Sequence, residues 1–363
     1  MHSMQISTIL ADIRAGNRLQ PEDAVHLMNA RGRDAFLVYA AADAIREEKV
    51  GDIVTFVRNN NIHITNICKN LCNFFGFGRK ATDKDAYIFT LEQIKEQLAA
   101  AGKRQVTEIC LLSGVNPEFD LNNYLELLHT CREVLPEVNI HGFSPDEINW
   151  AATKSNVSPH DVIIAMQKAG LSSIQGTAAE ILVDEVRSVI CPSKVSSAQW
   201  EEIIRTAHAD GFLSSATIMY GSVESARDRV THLEIIRRIQ DDTGGFTEMV
   251  LLPFIHQQTR LHTKGLVSSG PTASEDLLMT AVSRLYLDNF DHIQISLPKL
   301  GPKMAQTALC AGADDLSGTM YQDAVTEDAG GVVWCMEPDE MAYIVRDLGR
   351  RLKERTTFYE IIG

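Results

Sequence analysis

The feature that most constrains the fold of this chain is a regular alternation of two kinds of segment. Short apolar or β-branched runs recur eight times, and amphipathic segments with helical periodicity lie between them. The eight runs are 63–67, 106–114, 138–144, 171–177, 212–221, 246–254, 291–296 and 307–318. Strands that alternate with helices form a parallel sheet, and eight such units predict an α/β fold, a (β/α)₈ barrel of the TIM type.

The segments on either side of the alternating region have a different pattern. Residues 1–58 show helical periodicity and predict an N-terminal helical preface, 59–330 predict the barrel, and 331–363 predict a C-terminal helix and tail. The chain has 363 residues, and α/β barrels commonly reach such a length as one unit. We therefore expect one large barrel with helical additions at both ends.

Charge and cysteine content narrow the classes of partner. The 34 Lys and Arg against 48 Asp and Glu give a net charge of −14, which disfavours binding to nucleic acid and to anionic membranes. No apolar run approaches the roughly 20 residues that span a bilayer, and charges stand where a secretory peptide would be apolar. Seven cysteines without a dense framework indicate reduced thiols or metal ligands. These features predict a cytoplasmic protein.

Polar residues stand at the predicted carboxyl ends of the strands, where barrels of this kind place their active sites. Any one of them is more often a polar loop residue, but the whole set predicts a functional site. The set comprises Asn66, Ser113, His141, Ser144, Gln175, Thr177, Tyr220, His256, Gln294, Asp314 and Asp315.

Two cysteines directly after the first run carry the strongest chemical signal. Cys68 and Cys72 stand four residues apart in a segment that also contains Gly76 and Gly78. Thiolate ligands suit both iron and zinc. Two ligands alone do not complete a metal site.

This loop resembles the cluster loop of radical S-adenosylmethionine (SAM) enzymes, in which C-x3-C-x2-C holds three irons of a 4Fe–4S cluster. The fourth iron is left for the methionine part of SAM. Cys68 and Cys72 match the first two positions, whereas Phe75 stands at the third. Phenylalanine cannot ligate iron.

The resemblance extends over roughly residues 20–360. TNICKNLC, HGFSPDEI, ATIMYGSVESARDRV and AGADDLSGTM are similar to the CofH-type subunit of FO synthase. The resemblance implies a radical SAM barrel with a 4Fe–4S cluster that cleaves SAM to a 5′-deoxyadenosyl radical and acts on L-tyrosine. It would join the hydroxybenzyl fragment to 5-amino-6-(D-ribitylamino)uracil, as a 4-hydroxyphenyl transferase of coenzyme F420 biosynthesis. It also implies a CofG-type partner subunit that closes the deazaflavin ring.

The resemblance implies a set of cofactor-binding residues. Ser113 and Gly114 stand where the family has a Gly-Gly pair that packs against the methionine amino group. Glu180, Arg187 and Lys194, spaced E-x6-R-x6-K, would hold the carboxylate and amino group of the cofactor. An exposed, salt-bridged helix is the alternative explanation of that spacing.

Substrate-binding candidates lie on the predicted strands. His141 and Gln175 would orient the substrate, and Tyr220 and Glu248 are further candidates. The alternative for each is a polar residue whose hydrogen bonds are satisfied within the barrel wall. Cys110 could approach the cluster if it faces the barrel mouth, although a buried small apolar residue is the alternative.

The sequence also departs from the family pattern. The departures are Phe75, Ser113, residues 255–258, residues 296–299 and Asp314, the last standing where Asn is usual. Three hypotheses stay open. One is an active transferase whose third cluster ligand is missing or comes from another thiol or an exogenous group. Another is a catalytically silent paralogue that binds cofactor, substrate or partner subunit, and the third is a related radical enzyme of the menaquinone pathway.

Overall fold

The chain forms a sheet of eleven strands surrounded by helices in a computed structural model, which describes residues 2–322 and 324–362. The strands are β1 (Ile53–Val57), β2 (Asn59–Thr65), β3 (Glu108–Ser113), β4 (Asn139–Gly142), β5 (Ser173–Ile174), β6 (Ser214–Tyr220), β7 (Phe246–Pro253), β8 (Ile293–Ile295), β9 (Asp315–Gly318), β10 (Arg351–Arg355) and β11 (Ile361–Ile362). β10 and β11 pair antiparallel, and the other neighbouring strands pair parallel.

Helices precede the barrel, alternate with its strands and follow it. They are α1 (His2–Arg14), α2 (Pro21–Met28), α3 (Arg33–Val50), α4 (Leu91–Lys103), α5 (Leu121–Val134), α6 (Pro145–Ser155), α7 (Pro159–Lys168), α8 (Asp184–Ile190), α9 (Ser197–Ala209), α10 (Ala226–Thr243), α11 (Arg260–Thr263), α12 (Ala273–Tyr286), α13 (Leu297–Leu309), α14 (Ala324–Asp328) and α15 (Pro338–Asp347). Among the described helices, none combines the length and the apolar character needed to cross a membrane.

Most of the barrel helices begin with the same local signal, a capping box. In α6 the Ser144 side chain accepts from the N–H of Glu147, and Glu147 in turn accepts from the N–H of Ser144. Ser158 and Asp161 start α7 in the same way, as do corresponding pairs in α4, α5, α9, α10 and α12. These caps fix where each loop after a strand turns into a helix, and therefore shape the face that carries the site.

The sheet curls into a barrel, as the alternation predicts. β2 to β9 neighbour one another in chain order, and β1 lies beside β9. One residue, Arg58, separates β1 from β2. The N–H of Asn61 donates to the carbonyl of Tyr321 at 3.0 Å, so the chain after β9 meets β2. The predicted (β/α)₈ architecture is confirmed.

Three elements differ from the expectations of the sequence. β1 lies inside the range expected to be helical, and β10 lies inside the expected tail. Residues 307–309 finish α13, so the last barrel strand is shorter than its apolar run. β10 (RLKER) has a single apolar residue among four charged ones, which hides a strand from a search for apolar runs. The three-part division of the chain stays a prediction.

The apolar core has two parts. The larger one lies between the sheet and the surrounding helices and includes Ile62, Ile109 and Leu128. The smaller one joins β1, β9, α13 and α15 through residues such as Val54 and Met341. The second core attaches the C-terminal helix α15 to the barrel, whereas the N-terminal helices pack in the larger core.

The amino-terminal half of the barrel interior is polar, and we call it the barrel floor. Arg355 donates from Nε to Oδ2 of Asp315 at 2.5 Å and from a terminal nitrogen to Oε1 of Gln294 at 3.1 Å. The Tyr359 ring lies 3.9 Å from the Arg355 guanidinium. Asp315 is the first residue of β9, so it lies at the end opposite the predicted active site. The expectation that Gln294 and Asp315 face the active site is wrong.

Candidate active site

A cavity opens at the carboxyl ends of the barrel strands, where the sequence predicts the site. The loops after β2, β3, β4, β5 and β7 all contribute to its wall. Its empty volume is about 1240 Å³ including the open mouth, which is large enough for small-molecule ligands. Four of the predicted strand-end residues line it, namely Ser113, Ser144, Gln175 and Thr177.

The cysteine loop, residues 66–79, is fixed by backbone hydrogen bonds. The N–H of Cys68 donates to the Arg79 carbonyl at 3.0 Å, and the N–H of Lys69 donates to the Val115 carbonyl at 2.9 Å. Cys68 is half-buried and Cys72 is buried, and both line the cavity. Burial raises the pKa of the Cys72 thiol, against the opposing influence of the Lys194 ammonium group. The structure therefore brings the two predicted thiol ligands together.

A third thiol is missing from this arrangement. Phe75 lines the cavity at the position expected for the third ligand. Within the part of the chain that the structure describes, no group of three or more His, Cys, Asp and Glu side chains is placed to hold a metal ion. Cys110 lies within β3, with its sulfur 3.3 Å from Glu108 and 3.7 Å from Asn59. The residues present therefore do not fit a complete three-thiolate cluster site.

Phe75 is part of a continuous aromatic cluster. Its ring centroid lies 5.6 Å from that of Phe74 and 5.6 Å from that of Phe77. Phe77 continues to Tyr87 at 6.4 Å, and Tyr87 continues to Phe89 at 4.7 Å. Because aromatic rings at these separations attract one another, position 75 is integrated into an apolar wall.

Gly114 allows the loop after β3 to touch the cysteine loop. A Cβ atom at this position would lie 2.5 Å from the Ile67 carbonyl oxygen and 3.0 Å from the Cys68 Cβ atom. The Gly114 N–H donates to the Thr65 carbonyl at 2.8 Å, and the Ser113 hydroxyl donates to the Gly114 carbonyl at 2.8 Å. A larger residue at 114 would displace the loop that carries the thiols.

The predicted trio after strand β5 is split by the structure. The Lys194 ammonium lies 2.6 Å from Oε1 of Glu180, and both residues line the cavity. The buried Arg187 guanidinium instead donates to the carbonyl oxygens of Ala178, Ala179 and Val195. Arg187 therefore fixes the loop that carries the other two residues, and the exposed-helix alternative is wrong for all three.

Of the two candidates named for orienting the substrate, one reaches the cavity. Gln175 lines it while its amide nitrogen donates to the carbonyls of Leu111 at 3.1 Å and His141 at 3.3 Å. The His141 imidazole lies beneath it, half-buried, with Nδ1 2.6 Å from the Ser173 hydroxyl. Burial lowers the pKa of His141. His141 therefore supports the cavity through its backbone carbonyl.

Tyr220 and Glu248 do not line the cavity. The Tyr220 hydroxyl donates to Oδ1 of Asp276 in α12 at 2.8 Å, so the side chain points into the helix layer. Glu248 is the third residue of β7 and lies towards the barrel floor, where burial raises its pKa to about 7 against the opposing influence of Arg355. Residues on one strand point alternately to opposite faces, and strand position alone did not predict these directions.

The remaining predicted strand-end residues also lie outside the cavity wall. Asn66 uses its side chain to bind the backbone of Asp85 and Tyr87. Asp314 is buried against Arg284 and His292, with His292 Nδ1 at 2.6 Å. The replacement of the usual Asn by Asp314 is therefore explained by an ion pair remote from the cavity. His256 accepts from the N–H of Gly270 at 3.0 Å in a loop outside the cavity wall.

Several cavity residues were missed by the sequence analysis. Asp146 and Glu147 follow β4, and Lys299 lies in α13. The S-x-x-E pattern at 144–147 is a helix-start signal, which accounts for Glu147 without a function. Lys299 donates to the Thr326 hydroxyl at 2.9 Å. Residues 296–299 depart from the family pattern, and this departure was the sequence feature that could have identified Lys299.

Comparisons with known proteins assign the chain to a family. Residues 62–236 match the model of the radical SAM superfamily, and residues 243–362 match that of the CofH/MqnC C-terminal region. The chain is 49% identical over 355 residues to the 5-amino-6-(D-ribitylamino)uracil–L-tyrosine 4-hydroxyphenyl transferase of Methanoculleus marisnigri, covering 98% of this chain and 97% of that relative. It is 39% identical to the FO synthase of Mycobacterium leprae, covering 98% of this chain and 42% of that relative.

Solved structures agree on the architecture. The FeFe-hydrogenase maturase HydG from Carboxydothermus hydrogenoformans superimposes with a TM-score of 0.76 at 14% identity, over 98% of this chain and 81% of that one. The radical SAM superfamily implies a 4Fe–4S cluster and SAM as cofactors. With the barrel, the cysteine loop and these matches together, the chain belongs to the CofH family of radical SAM enzymes.

Proposed function

We propose that this chain is the transferase that joins the hydroxybenzyl fragment of L-tyrosine to 5-amino-6-(D-ribitylamino)uracil in FO biosynthesis. The observation that carries the proposal is the cavity wall, in which Cys68, Cys72, Gly114 and the Glu180–Lys194 pair meet. The relative from Methanoculleus marisnigri, which bears the name of this activity, matches nearly the whole chain.

The cofactor-binding roles are distributed over three loops. Cys68 and Cys72 would supply two thiolates to the cluster, and Ser113 and Gly114 would receive the amino-acid end of SAM against the backbone. The Glu180–Lys194 pair offers one charge of each sign to an ammonium and a carboxylate. Arg187 positions that pair through the backbone carbonyls that it binds.

The substrate would contact fewer of the predicted residues than the sequence indicates. Gln175 faces the cavity, and we propose that it contacts the substrate. His141, Tyr220 and Glu248 have partners below or behind the cavity, and we propose positioning roles for them. A bound cluster and SAM would supply the radical chemistry, while these residues would bind, orient and shield the reactants.

The proposal includes a partner subunit and a location in the reducing cytoplasm. The Mycobacterium leprae FO synthase is matched over 42% of its length, so it has room for a second catalytic unit, which fits a separate CofG-type partner here. The seven cysteines are free thiols, as expected in the cytoplasm. We propose a cytoplasmic enzyme on that basis.

The second candidate function is favoured by Phe75. A paralogue without the third thiolate would keep the barrel and bind SAM, tyrosine or the partner subunit without turnover. The aromatic packing of Phe75 is the observation that supports this alternative.

Anaerobic reconstitution of the wild type and of Phe75→Cys with iron and sulfide separates the two functions. The readouts are iron per chain and the electron paramagnetic resonance spectrum of the reduced protein with and without SAM. About four irons and a SAM-dependent spectral change in the wild type support the transferase. If Phe75→Cys gives this result and the wild type does not, the silent paralogue is supported and the transferase is overturned.

A further inference from the structure

Glu147 is a cavity carboxylate whose hydrogen bonding is incomplete. Its Oε2 accepts from the N–H and the hydroxyl of Ser144, both at 2.8 Å, which completes the cap of α6. Over residues 2–322 and 324–362, its Oε1 has no hydrogen-bond partner. The residue is 5% exposed and lines the cavity. A buried acceptor without a donor costs about 1–3 kcal/mol, and more when charged, so a donor from a ligand is expected there.

The other charged side chains of the cavity have partners within the chain. Glu180 and Lys194 bind each other, and Lys299 donates to a threonine hydroxyl. Asp146 accepts from the Asn70 amide and from the Val195 N–H. Among these charged side chains, Glu147 is therefore the one with an acceptor atom left for a hydrogen-bond donor of the bound molecule.

We propose that Oε1 of Glu147 binds the α-ammonium group of the amino-acid substrate. The inference rests on the proposed function, which makes L-tyrosine that substrate. Burial raises the pKa of Glu147 to about 7. An ammonium donor at Oε1 would favour the ionised carboxylate, and a hydrogen bond from an ammonium group is about twice as strong as one between neutral groups. SAM carries an α-ammonium too, but its amino-acid end is assigned to Gly114 and the Glu180–Lys194 pair.

Glu147→Gln tests the contact while keeping the helix cap, because glutamine is also accepted at this position of a capping box. Its amide would place a donor where the ammonium group binds. Calorimetry on the full chain, reconstituted anaerobically, would measure L-tyrosine and its analogue without the amino group, 3-(4-hydroxyphenyl)propionate. We expect tyrosine to bind the variant roughly 10- to 100-fold more weakly. The analogue should bind the wild type and the variant about equally.

Asp161→Asn is the matched control. Asp161 caps the next helix in the same way, with the Ser158 hydroxyl donating to its Oδ2 at 2.6 Å, but it is exposed and outside the cavity. We expect this variant to bind tyrosine as the wild type does. Thermal unfolding of both variants shows whether each helix cap survives.

Four results would overturn the inference. Equal tyrosine affinity in the wild type and a folded Glu147→Gln rejects the contact. Weaker binding of SAM with unchanged tyrosine binding reassigns Glu147 to the cofactor. If Glu147→Gln does not fold, the two ligands are compared on the wild type alone. The inference requires the analogue to bind at least about 10-fold more weakly than tyrosine, and equal binding overturns it. A wild type that binds SAM but no tyrosine overturns the proposed function along with the inference.

Discussion

The ammonium nitrogen of Lys194 lies 2.6 Å from Oε1 of Glu180 inside the cavity wall. Both side chains are largely buried, with 15% and 9% of their surfaces exposed. Thirteen residues of chain lie between them, including the whole of α8. The pair therefore links both ends of the segment that follows β5, and it combines a structural role with the proposed role in cofactor binding.

We expect Lys194→Met to destabilise the protein by about 3–5 kcal/mol, because Glu180 would keep a buried charge without its partner. Urea unfolding monitored by circular dichroism measures this loss. The double variant Glu180→Gln/Lys194→Met should recover most of the lost stability, because no unpaired charge stays buried. Its affinity for SAM, measured by calorimetry, should stay below that of the wild type. Wild-type SAM affinity in the double variant would contradict the proposed cofactor contact.

Gly114→Ala should displace the cysteine loop. The added methyl group would lie 2.5 Å from a backbone oxygen of that loop, and such overpacking costs about 1–3 kcal/mol. Gly102→Ala is the control, because its methyl group would meet only the terminal carbon of Leu135, at 3.0 Å, and alanine favours the helix in which Gly102 lies. A melting temperature equal to that of the wild type in Gly114→Ala would show that the loop adapts.

In the Phe75→Cys variant, the cysteines should differ in their contribution to the iron content after reconstitution. Cys68→Ser and Cys72→Ser should lower the iron content, because both thiols line the cavity. Cys110→Ser and Cys191→Ser should leave it unchanged, because neither thiol lines the cavity. Colorimetric iron analysis per chain is the measurement. Loss of iron in Cys191→Ser would identify Cys191 as a ligand.

Arg355→Met should destabilise the barrel floor by about 3–5 kcal/mol, because Asp315 is fully buried and would lose its cationic partner. Denaturant unfolding measures the change, and Asp315→Asn in the same chain should restore part of it. Since the floor lies at the end of the barrel opposite the cavity, SAM affinity should stay within about twofold of the wild type at temperatures where the variant is folded. A parallel loss of SAM affinity would show that floor and cavity are coupled.

His208 should make the stability fall in mild acid. Burial lowers its pKa from 6.5 to about 4, so between these values the unfolded chain binds more protons than the folded one. Stability contributed by neutral His208 is complete above pH 6.5 and is lost as the pH falls towards 4. The advantage of the wild type over His208→Gln should therefore shrink by about 2 kcal/mol between pH 7 and pH 5.

Chemical unfolding of both proteins at pH 7 and at pH 5 measures whether the stability advantage of the wild type falls in acid. His208 binds Ser214 at 2.9 Å and Thr243 at 2.8 Å, so glutamine keeps a polar group at the site. The exposed His129 provides the control variant His129→Gln. An advantage of the wild type that grows in acid would show that His208 is charged in the folded protein.

Local features of this protein are predictable from the sequence because they depend on neighbours along the chain. The alternation of apolar runs and helical segments fixes the barrel, and the spacing of Cys68 and Cys72 fixes the loop after the first barrel strand. The absence of a thiol at Phe75 is also a fact of sequence. β10 escaped detection because its charged residues interrupt the apolar pattern.

The cavity wall depends on contacts between residues far apart in the chain. Gln175 and Tyr220 both stand near strand ends, yet one faces the cavity and the other binds Asp276 in the helix layer. A shift of one residue along a strand reverses the face to which a side chain points. Periodicity therefore predicts that a site exists at the strand ends without predicting every residue that enters it.

The sequence by itself determined the barrel, the family and the position of the missing thiol, since all three follow from the order of residues along the chain. Only the tertiary structure decided that Arg187 binds backbone carbonyls, that Asp315 belongs to the floor and that Glu147 keeps a free acceptor in the cavity. The physical reason is that hydrogen-bond partners and burial arise when distant segments pack together, and no local pattern encodes which partner a polar group will meet.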